Sequence, residues 1–357
     1  MERTGRILVT GGAGFVGGNL ATTLATRRPD REVVAFDNLR RRGSELNLPR
    51  LREAGVRFVH GDVRELGDLM ALEPVDAVVE CSAEPSALAG VGGDTGYLVG
   101  SNLLGAYHCL ELARRDSAQV VFLSTSRVYP VAALSALAYE EGATRFELVA
   151  AQPIAGASVA GISERFPLEG ARTLYGATKL SAEILIAEYV AAFGLRAVVD
   201  RCGVIAGPWQ MGKVDQGVLT HWVLSHHLRR DLAYIGFGGR GKQVRDALHV
   251  DDLVDLIDRQ LAEPEQWAGA TVNVGGGIER SVSLLELTEI CRELTGNSVE
   301  VGSTRENRPG DVPIYISDCA ELRTRTDWRP RRSVVHILED TLDWIRANER
   351  TVAAALA

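Results

Sequence analysis

The chain has no excess of basic residues: 39 lysines and arginines stand against 47 aspartates and glutamates, a formal charge of −8. That balance argues against a polyanion such as nucleic acid as the main partner, and any anionic ligand must be held by local arginines. Cysteine is sparse, and the five present, Cys81, Cys109, Cys202, Cys291 and Cys319, form no CxxC pair. Cys81, Cys109 and Cys291 lie in apolar strand or helix patterns as small core residues, a reduced, intracellular usage. No apolar run approaches bilayer-spanning length, and the N-terminus enters a strand without a charged leader, so a cytoplasmic protein without a membrane partner is expected. His221, His226 and His227 are offset by five and six residues, not the four that would put metal ligands on one helical face, so no metal is expected. No internal repeat or low-complexity segment is present, and 357 residues suit one sizeable α/β unit with a smaller lobe.

What the chain does have begins at Arg6-Ile-Leu-Val-Thr-Gly-Gly-Ala-Gly-Phe-Val-Gly17. Ile7 to Val9 reads as a buried parallel strand. Gly12 and Gly14 let the backbone turn sharply and approach a pyrophosphate, and Gly17 lets the following helix pack close on the strand. The free N–H groups of that helix N-terminus suit phosphate. A second apolar run, Glu32 to Phe36, ends in Asp37, positioned to accept both ribose hydroxyls of an adenosine. Asp37 would repel a 2′-phosphate, which favours NAD over NADP. Arg40, Arg41 and Arg42 follow, and either form a solvated loop or serve such a phosphate.

Strand patterns at Ile7 to Val9, Val33 to Phe36, Val56 to His60, Ala77 to Glu80, Val120 to Ser124 and Ala197 to Arg201 alternate with helical patterns at Val16 to Thr26, Asn102 to Arg114 and Ala177 to Ala192. The alternation predicts a Rossmann-type doubly wound parallel sheet with a smaller interleaved substrate-binding lobe. Residues 1–205, with a return segment at about 244–275, are expected to form the dinucleotide-binding domain; residues 206–243 and 276–357 form the second lobe. Gly-Pro-Trp, the aromatics and the glycines of 236–241 predict loops and short strands there, Trp209 and Trp222 being packing residues. Val272 to Val274 is a possible further strand, Ser283 with Glu286 forms a capping box, and an amphipathic helix runs near Val335 to Ala347.

Tyr175-Gly-Ala-Thr-Lys179 places a tyrosine and a lysine four apart, on one helical face. A free phenol titrates near about 10 and is a poor base at neutral pH, but a neighbouring ammonium favours the phenolate and makes Tyr175 a usable general base. Taken with the glycine turn, Asp37, and Ser124-Thr125 ending a strand before Val128-Tyr129, this pattern resembles the extended short-chain dehydrogenase/reductase superfamily, specifically its nucleotide-sugar enzymes, over almost the whole chain. The resemblance implies a triad of Thr125, Tyr175 and Lys179, with Thr125 bonding the sugar oxygen that is oxidised. It implies NAD contacts at Gly11, Gly14, Phe15, Val16, Gly17, Asp37, Asn38, Arg40, Asp62, Val63, Ala83, Asn102, Ser124, Tyr175, Lys179 and Val204. It also implies that Arg245 of Val244-Arg-Asp246 and Arg308 of Arg308-Pro-Gly-Asp311 hold a diphosphate, a role suited to guanidinium forks. Asp246 is expected to be structural.

The triad serves several reactions in this superfamily. Dehydratases carry an Asp-Glu pair directly after the threonine, where this chain has Ser126-Arg127, so dehydration is not expected. The segments Ser124 to Tyr129, Tyr139 to Phe146, Gln210 to Gly217 and Gly241 to Asp246 together resemble the CDP-paratose (tyvelose) 2-epimerases, the Asp215-Gln216-Gly217 element most distinctively. Val204 stands where hexose 4-epimerases tend to have an asparagine. Arg145, Gln210, Lys213 and Gln216 are candidate substrate contacts, Gln210 and Gln216 being equally readable as structural side chains. The reaction implied is transient oxidation at C2 of a CDP-hexose, with Tyr175 taking the hydroxyl proton, NAD the hydride, and the hydride returning to the other face of the keto sugar. The helices at Asn102 to Arg114 and Ala177 to Ala192 resemble a four-helix dimer interface, so a homodimer is expected. A UDP-hexose 4-epimerase or other sugar-nucleotide oxidoreductase, and an NAD-binding regulatory module, are the alternative readings.

Overall fold

Seven strands make the sheet of the first of two compact units into which the chain divides, comprising Met1–Thr125, Leu174–Arg201 and Leu253–Val272. The structure, a computed structural model, describes residues 5–86, 94–211, 217–350 and 352. Strands β1 (Gly5–Thr10), β2 (Arg31–Asp37), β3 (Arg57–His60), β4 (Ala77–Glu80) and β5 (Gln119–Thr125) are joined by Ala197–Cys202 and Ala270–Val274. The spatial order is Ala270–Val274, Ala197–Cys202, β5, β4, β1, β2, β3. Val9 lies opposite Ala35 on one side and Val79 on the other, in parallel register. The β2–β3 and β4–β5 pairs are parallel too.

Strands buried on both faces read as near-continuous apolar runs, and all seven residues of β5 and all four of β4 are buried, with polar side chains only at the strand ends. Helices Phe15–Arg27, Gly105–Asp116, Leu174–Phe193 and Val250–Ala262 connect or follow the strands. Leu8, Val34, Val78, Val120 and Phe122 pack with Leu110, Leu112 and Ile186 of two helices in one core. The chain turns outward in opposite directions from β1 and β4, so the crevice beyond their carboxyl ends is the topological switch point, where sheets of this kind take ligands. Gly11 and Cys81 stand just past those ends, and Asp37 ends the neighbouring β2.

The second unit comprises Ser126–Thr173, Cys202–Asp252 and Asn273–Ala357. Its four-stranded sheet is built from Val204–Ala206, Val244–His249, Ser281–Ser283 and Ile314–Tyr315. Ser283 caps helix Leu284–Thr295 through the expected box: its hydroxyl accepts the Glu286 N–H at 3.0 Å and the Glu286 carboxylate accepts the Ser283 N–H at 3.0 Å. Two boundaries differ from the pattern in the sequence. Residues 126–173 belong with this unit, because Phe146 N–H donates to Lys242 and the Ser283 hydroxyl to Thr144, at 2.9 and 2.8 Å. Residues 244–252 belong here as well, since Val244–His249 pairs with the other three strands of this sheet. Val218–His227, in the stretch expected to be loops and short strands, is a helix, with Trp222 stacked on Tyr234 at 6.4 Å.

Candidate active site

The glycine turn follows from the backbone it must adopt. Gly11 has φ of +62°, and a Cβ at Gly17 would lie 2.1 Å from the Gly11 carbonyl oxygen, so the helix approaches the strand as no side chain allows. A Cβ at Gly12 would lie 2.7 Å from Ala35 on β2. Gly14 caps helix Phe15–Arg27 without a side-chain bond, which leaves the first-turn N–H groups, those of Phe15, Val16 and Gly17 included, for a ligand. Asp37 ends β2 and accepts the N–H groups of Ala13 at 3.1 Å and Leu39 at 2.7 Å, so one carboxylate ties the glycine turn to the second strand. Burial pushes its carboxyl above the ordinary range.

The neighbours expected at an adenosine are also gathered in this unit. Asn38 donates to Asp62 at 2.9 Å, and Arg64 grips the same carboxylate at 2.6 Å, holding Asp62 down to about 2. Arg40, exposed in the loop after β2, lies 3.9 Å above the Tyr97 ring, a cation–π contact. Val63 is buried. Asn102 sits in a π-helical turn, Gly100–Leu104, and clamps the segment after β4: its Oδ1 accepts the Glu84 N–H at 2.8 Å and its Nδ2 donates to the Glu84 carbonyl at 3.2 Å and the Thr178 hydroxyl at 3.3 Å. Ala83 is in that clamped segment.

Thr125 is the last residue of β5, and Tyr175 and Lys179 are the second and sixth of helix Leu174–Phe193, all three buried. The ammonium of Lys179 lies 3.2 Å from Glu80 at the end of β4 and 4.4 Å from the Phe122 ring centroid. The negative charges of Glu80 and of an ionised Tyr175 hold the Lys179 ammonium above its ordinary range against the opposing effect of burial. Glu80 was not among the expected site residues; its only mark in the sequence is an acid closing an otherwise apolar strand. Ser124 turns away from a ligand role: its hydroxyl donates to Glu183, which Arg201 holds through two nitrogens at 3.0 and 2.7 Å. That buried acid needs every donor it has.

In the second unit Arg245 and the loop 308–311 come together. Arg245 bonds Asp311 at 2.6 Å and the Val312 carbonyl at 2.6 Å, and Arg127 donates to the Gly310 carbonyl at 2.7 Å. The charge of Arg308 reaches His221, whose imidazolium it disfavours together with burial and Arg230. Arg145 donates to Ser281 at 2.8 Å, on the strand beside Val244–His249. Of the two readings open for Gln210, its bonds favour the structural one: its amide donates to the Ile205 carbonyl at 3.0 Å and accepts from Thr220 at 2.8 Å. Val204 lies in the four-stranded sheet of this unit. Asp246 accepts the Gly277 N–H at 3.1 Å, the structural role expected. Lys213 and Gln216 lie outside the described residues.

A doubly wound sheet with a glycine turn, an acid ending the second strand and a buried tyrosine–lysine helix defines a dinucleotide-dependent enzyme. The chain belongs to the NAD dependent epimerase/dehydratase family, whose model matches residues 7–275. It is 29% identical to the CDP-paratose 2-epimerase of Salmonella typhi, over 95% of this chain and 98% of that protein. It is 30% identical to the dTDP-glucose 4,6-dehydratase of Mycolicibacterium smegmatis, over 96% of this chain and 94% of that one. Among solved structures, the Thermus thermophilus UDP-glucose 4-epimerase in complex with NAD superposes with a TM-score of 0.75 at 26% identity, over 96% of this chain and 99% of that chain. NAD is the cofactor, and the left-handed Gly11, the helix without a side-chain cap and Asp37 fit it. Among the described residues no helix is long and apolar enough to cross a membrane.

Proposed function

We propose that the protein is a cytoplasmic, homodimeric CDP-hexose 2-epimerase of the paratose/tyvelose type. The observation that carries the choice is Arg127. It stands two residues after Thr125, where a dehydratase needs a carboxyl group to eliminate water, and it is committed to the Gly310 carbonyl at 2.7 Å. A guanidinium neither donates nor accepts a proton at neutral pH. The likeness to the Salmonella typhi enzyme supports C2 and a cytidine diphosphate carrier.

In this reading Thr125 hydrogen-bonds the C2 hydroxyl and Tyr175 removes its proton. Lys179 stabilises the phenolate and bonds the nicotinamide ribose. Bound NAD supplies hydride acceptance and return. Phe15, Val16, Asp37, Asn38, Asp62, Val63, Ala83 and Asn102 form the cofactor's bed, and Arg245 and Arg308, with Arg145, Lys213 and Gln216, the sugar diphosphate's. The dinucleotide and substrate parts follow the two compact units. Leu104, Tyr107, Ile184 and Phe193 are large apolar side chains left exposed on the two helices expected at a dimer face, which supports the homodimer.

The test is turnover of CDP- and UDP-hexoses in deuterated water without added cofactor, followed by proton NMR. Inversion at C2 of a CDP-sugar with its C2 proton retained is expected. Inversion at C4 of a UDP-sugar would move the assignment to a 4-epimerase, and the absence of any turnover to a binding module.

A further inference from the structure

Lys179 is 2% exposed and Glu80 is 1% exposed, so the ammonium of the tyrosine–lysine helix sits out of water with one carboxylate facing it. Bringing a lone ammonium to such a place costs several kcal/mol, and a buried lysine without an anion relieves that cost by losing its proton. We propose that Glu80 is a positioning residue of the catalytic centre, whose carboxylate keeps Lys179 charged and aims its ammonium beside Tyr175. The proposal takes Lys179 as the catalytic lysine of the reading above.

The geometry excludes substitutes for Glu80 among the described residues that face this ammonium. Cys81, next along the chain, and Cys109, on helix Gly105–Asp116, sense both Glu80 and Lys179, and burial pushes both thiols up, so neither is an anion at neutral pH. Thr10 of β1 offers a buried, uncharged hydroxyl. Phe122 of β5 offers a ring face at 4.4 Å. Tyr175 is the group to be ionised. Glu183, one turn along the helix, is held by Arg201 and Ser124. The Lys179–Glu80 contact is a single hydrogen bond at 3.2 Å through Oε2, and the buried Oε1 of Glu80 bonds nothing. One bond leaves two ammonium N–H groups for other partners. Burial raises the Glu80 carboxyl above its ordinary range, with the Lys179 ammonium opposing it. Without Glu80 the lysine becomes neutral, and a neutral lysine cannot stabilise a Tyr175 phenolate.

The chain has three lysines, Lys179, Lys213 and Lys242, which makes the charge of Lys179 directly readable. Protein labelled with 13C at lysine Cε gives three signals, two of them assigned with Lys213→Arg and Lys242→Arg. In the wild type the Lys179 signal is expected to stay that of an ammonium throughout the pH range in which the fold survives. In Glu80→Gln its midpoint should fall into that range, at least tenfold in acid dissociation constant, and the alkaline arm of activity should move with it. An unmoved Lys179 midpoint in Glu80→Gln overturns the proposal. Should that variant fail to fold by circular dichroism, Glu80→Asp decides, because its shorter side chain draws the carboxylate away from the ammonium. A lowered midpoint supports the proposal and an unchanged one overturns it. A Lys179 that loses its proton in a protein turning over no nucleotide sugar would sink the epimerase reading and leave Glu80's hold on Lys179 standing. Turnover with an unmoved Lys179 would do the reverse.

Discussion

Gln260 donates its amide to one oxygen of the buried Asp200 carboxyl at 2.8 Å, while the other carboxyl oxygen and the Gln260 amide oxygen, both buried, bond nothing further. A proton on Asp200 donated to that amide oxygen would satisfy both atoms at once. Burial pushes this carboxyl up to about 7, with Gln260 opposing it. The unfolded carboxyl titrates near about 3.9, so the stabilisation is complete below that value and is lost as pH rises through about 7. Asp200→Asn replaces the acid by an amide that donates at every pH. The variant should unfold at a higher temperature than the wild type at pH 8, by on the order of 1–3 kcal/mol of stability, and the difference should shrink by pH 5. Thermal unfolding monitored by circular dichroism at both values checks it; equal midpoints at pH 8 would mean that Asp200 is an ordinary paired carboxylate.

Tyr175 and Lys179 lie buried on one helix, whereas the glycine turn and Asp37 lie on β1 and β2, so chemistry and cofactor binding should separate under mutation. Tyr175→Phe removes the phenolic oxygen without changing packing, and turnover should fall by roughly 10²–10⁴-fold while the purified protein still carries cofactor. Lys179→Met should lower turnover too and additionally weaken cofactor retention through loss of the ribose contact. Quantifying NAD released on denaturation, beside NMR turnover, distinguishes the two. A Tyr175→Phe protein that turns over at the wild-type rate would remove Tyr175 from the chemistry.

The division between what the sequence makes visible and what it hides follows the kind of force involved. The edges of β4 and the core of every central strand are legible, because an apolar run bounded by polar residues has one physical solution in a sheet buried on both faces. The Ser283 and Glu286 cap is legible because it is local. Helix Val218–His227 is not: it starts from Gly217 in a left-handed conformation, has no side-chain cap, and is buried nearly all round with polar and apolar residues mixed, so it shows neither stripe nor start signal. Glu80 and Ser124 are hidden for a different reason. Their meaning lies in Lys179 and Glu183, 99 and 59 residues away, and no spacing rule connects a strand end to a helix that distant. Gln210 stays open in the sequence because an amide with both ends engaged looks there like an amide waiting for a ligand.

Arg127 anchors the loop that carries Arg308 and Asp311, and Asp311 in turn fixes Arg245. A charged donor on a backbone carbonyl contributes roughly 1.5–3 kcal/mol, and only part of that is lost if the loop stays near its place. Arg127→Ala should therefore raise KM for the nucleotide sugar by about tenfold with a smaller change in kcat. Arg127→Glu restores the acid of a dehydratase position yet loses the anchor. It should bind substrate still more weakly and release no 4-keto-6-deoxy product, which its ultraviolet absorbance in alkali would reveal. Appearance of that product would mean that one side chain alone separates the two reactions here.

Leu104, Tyr107, Ile184 and Phe193 project large apolar side chains into solvent from residues 100–116 and from helix Leu174–Phe193, Ile184 being 59% and Phe193 58% exposed. Leu174–Phe193 carries apolar side chains on its exposed side as well as its buried one, as befits a helix covered on two sides. Tyr189 donates to Glu111 at 2.5 Å and the Arg114 guanidinium lies 5.5 Å from the Phe193 ring centroid, so both contacts bridge the two helices. A second copy of the same face would bury it symmetrically. Sedimentation equilibrium should give a dimer for the wild type and a monomer for Ile184→Glu, whose thermal midpoint should remain close to that of the wild type once dilution has dissociated both. A wild-type protein that sediments as a monomer at every concentration would leave these side chains without a partner copy and sink the dimer.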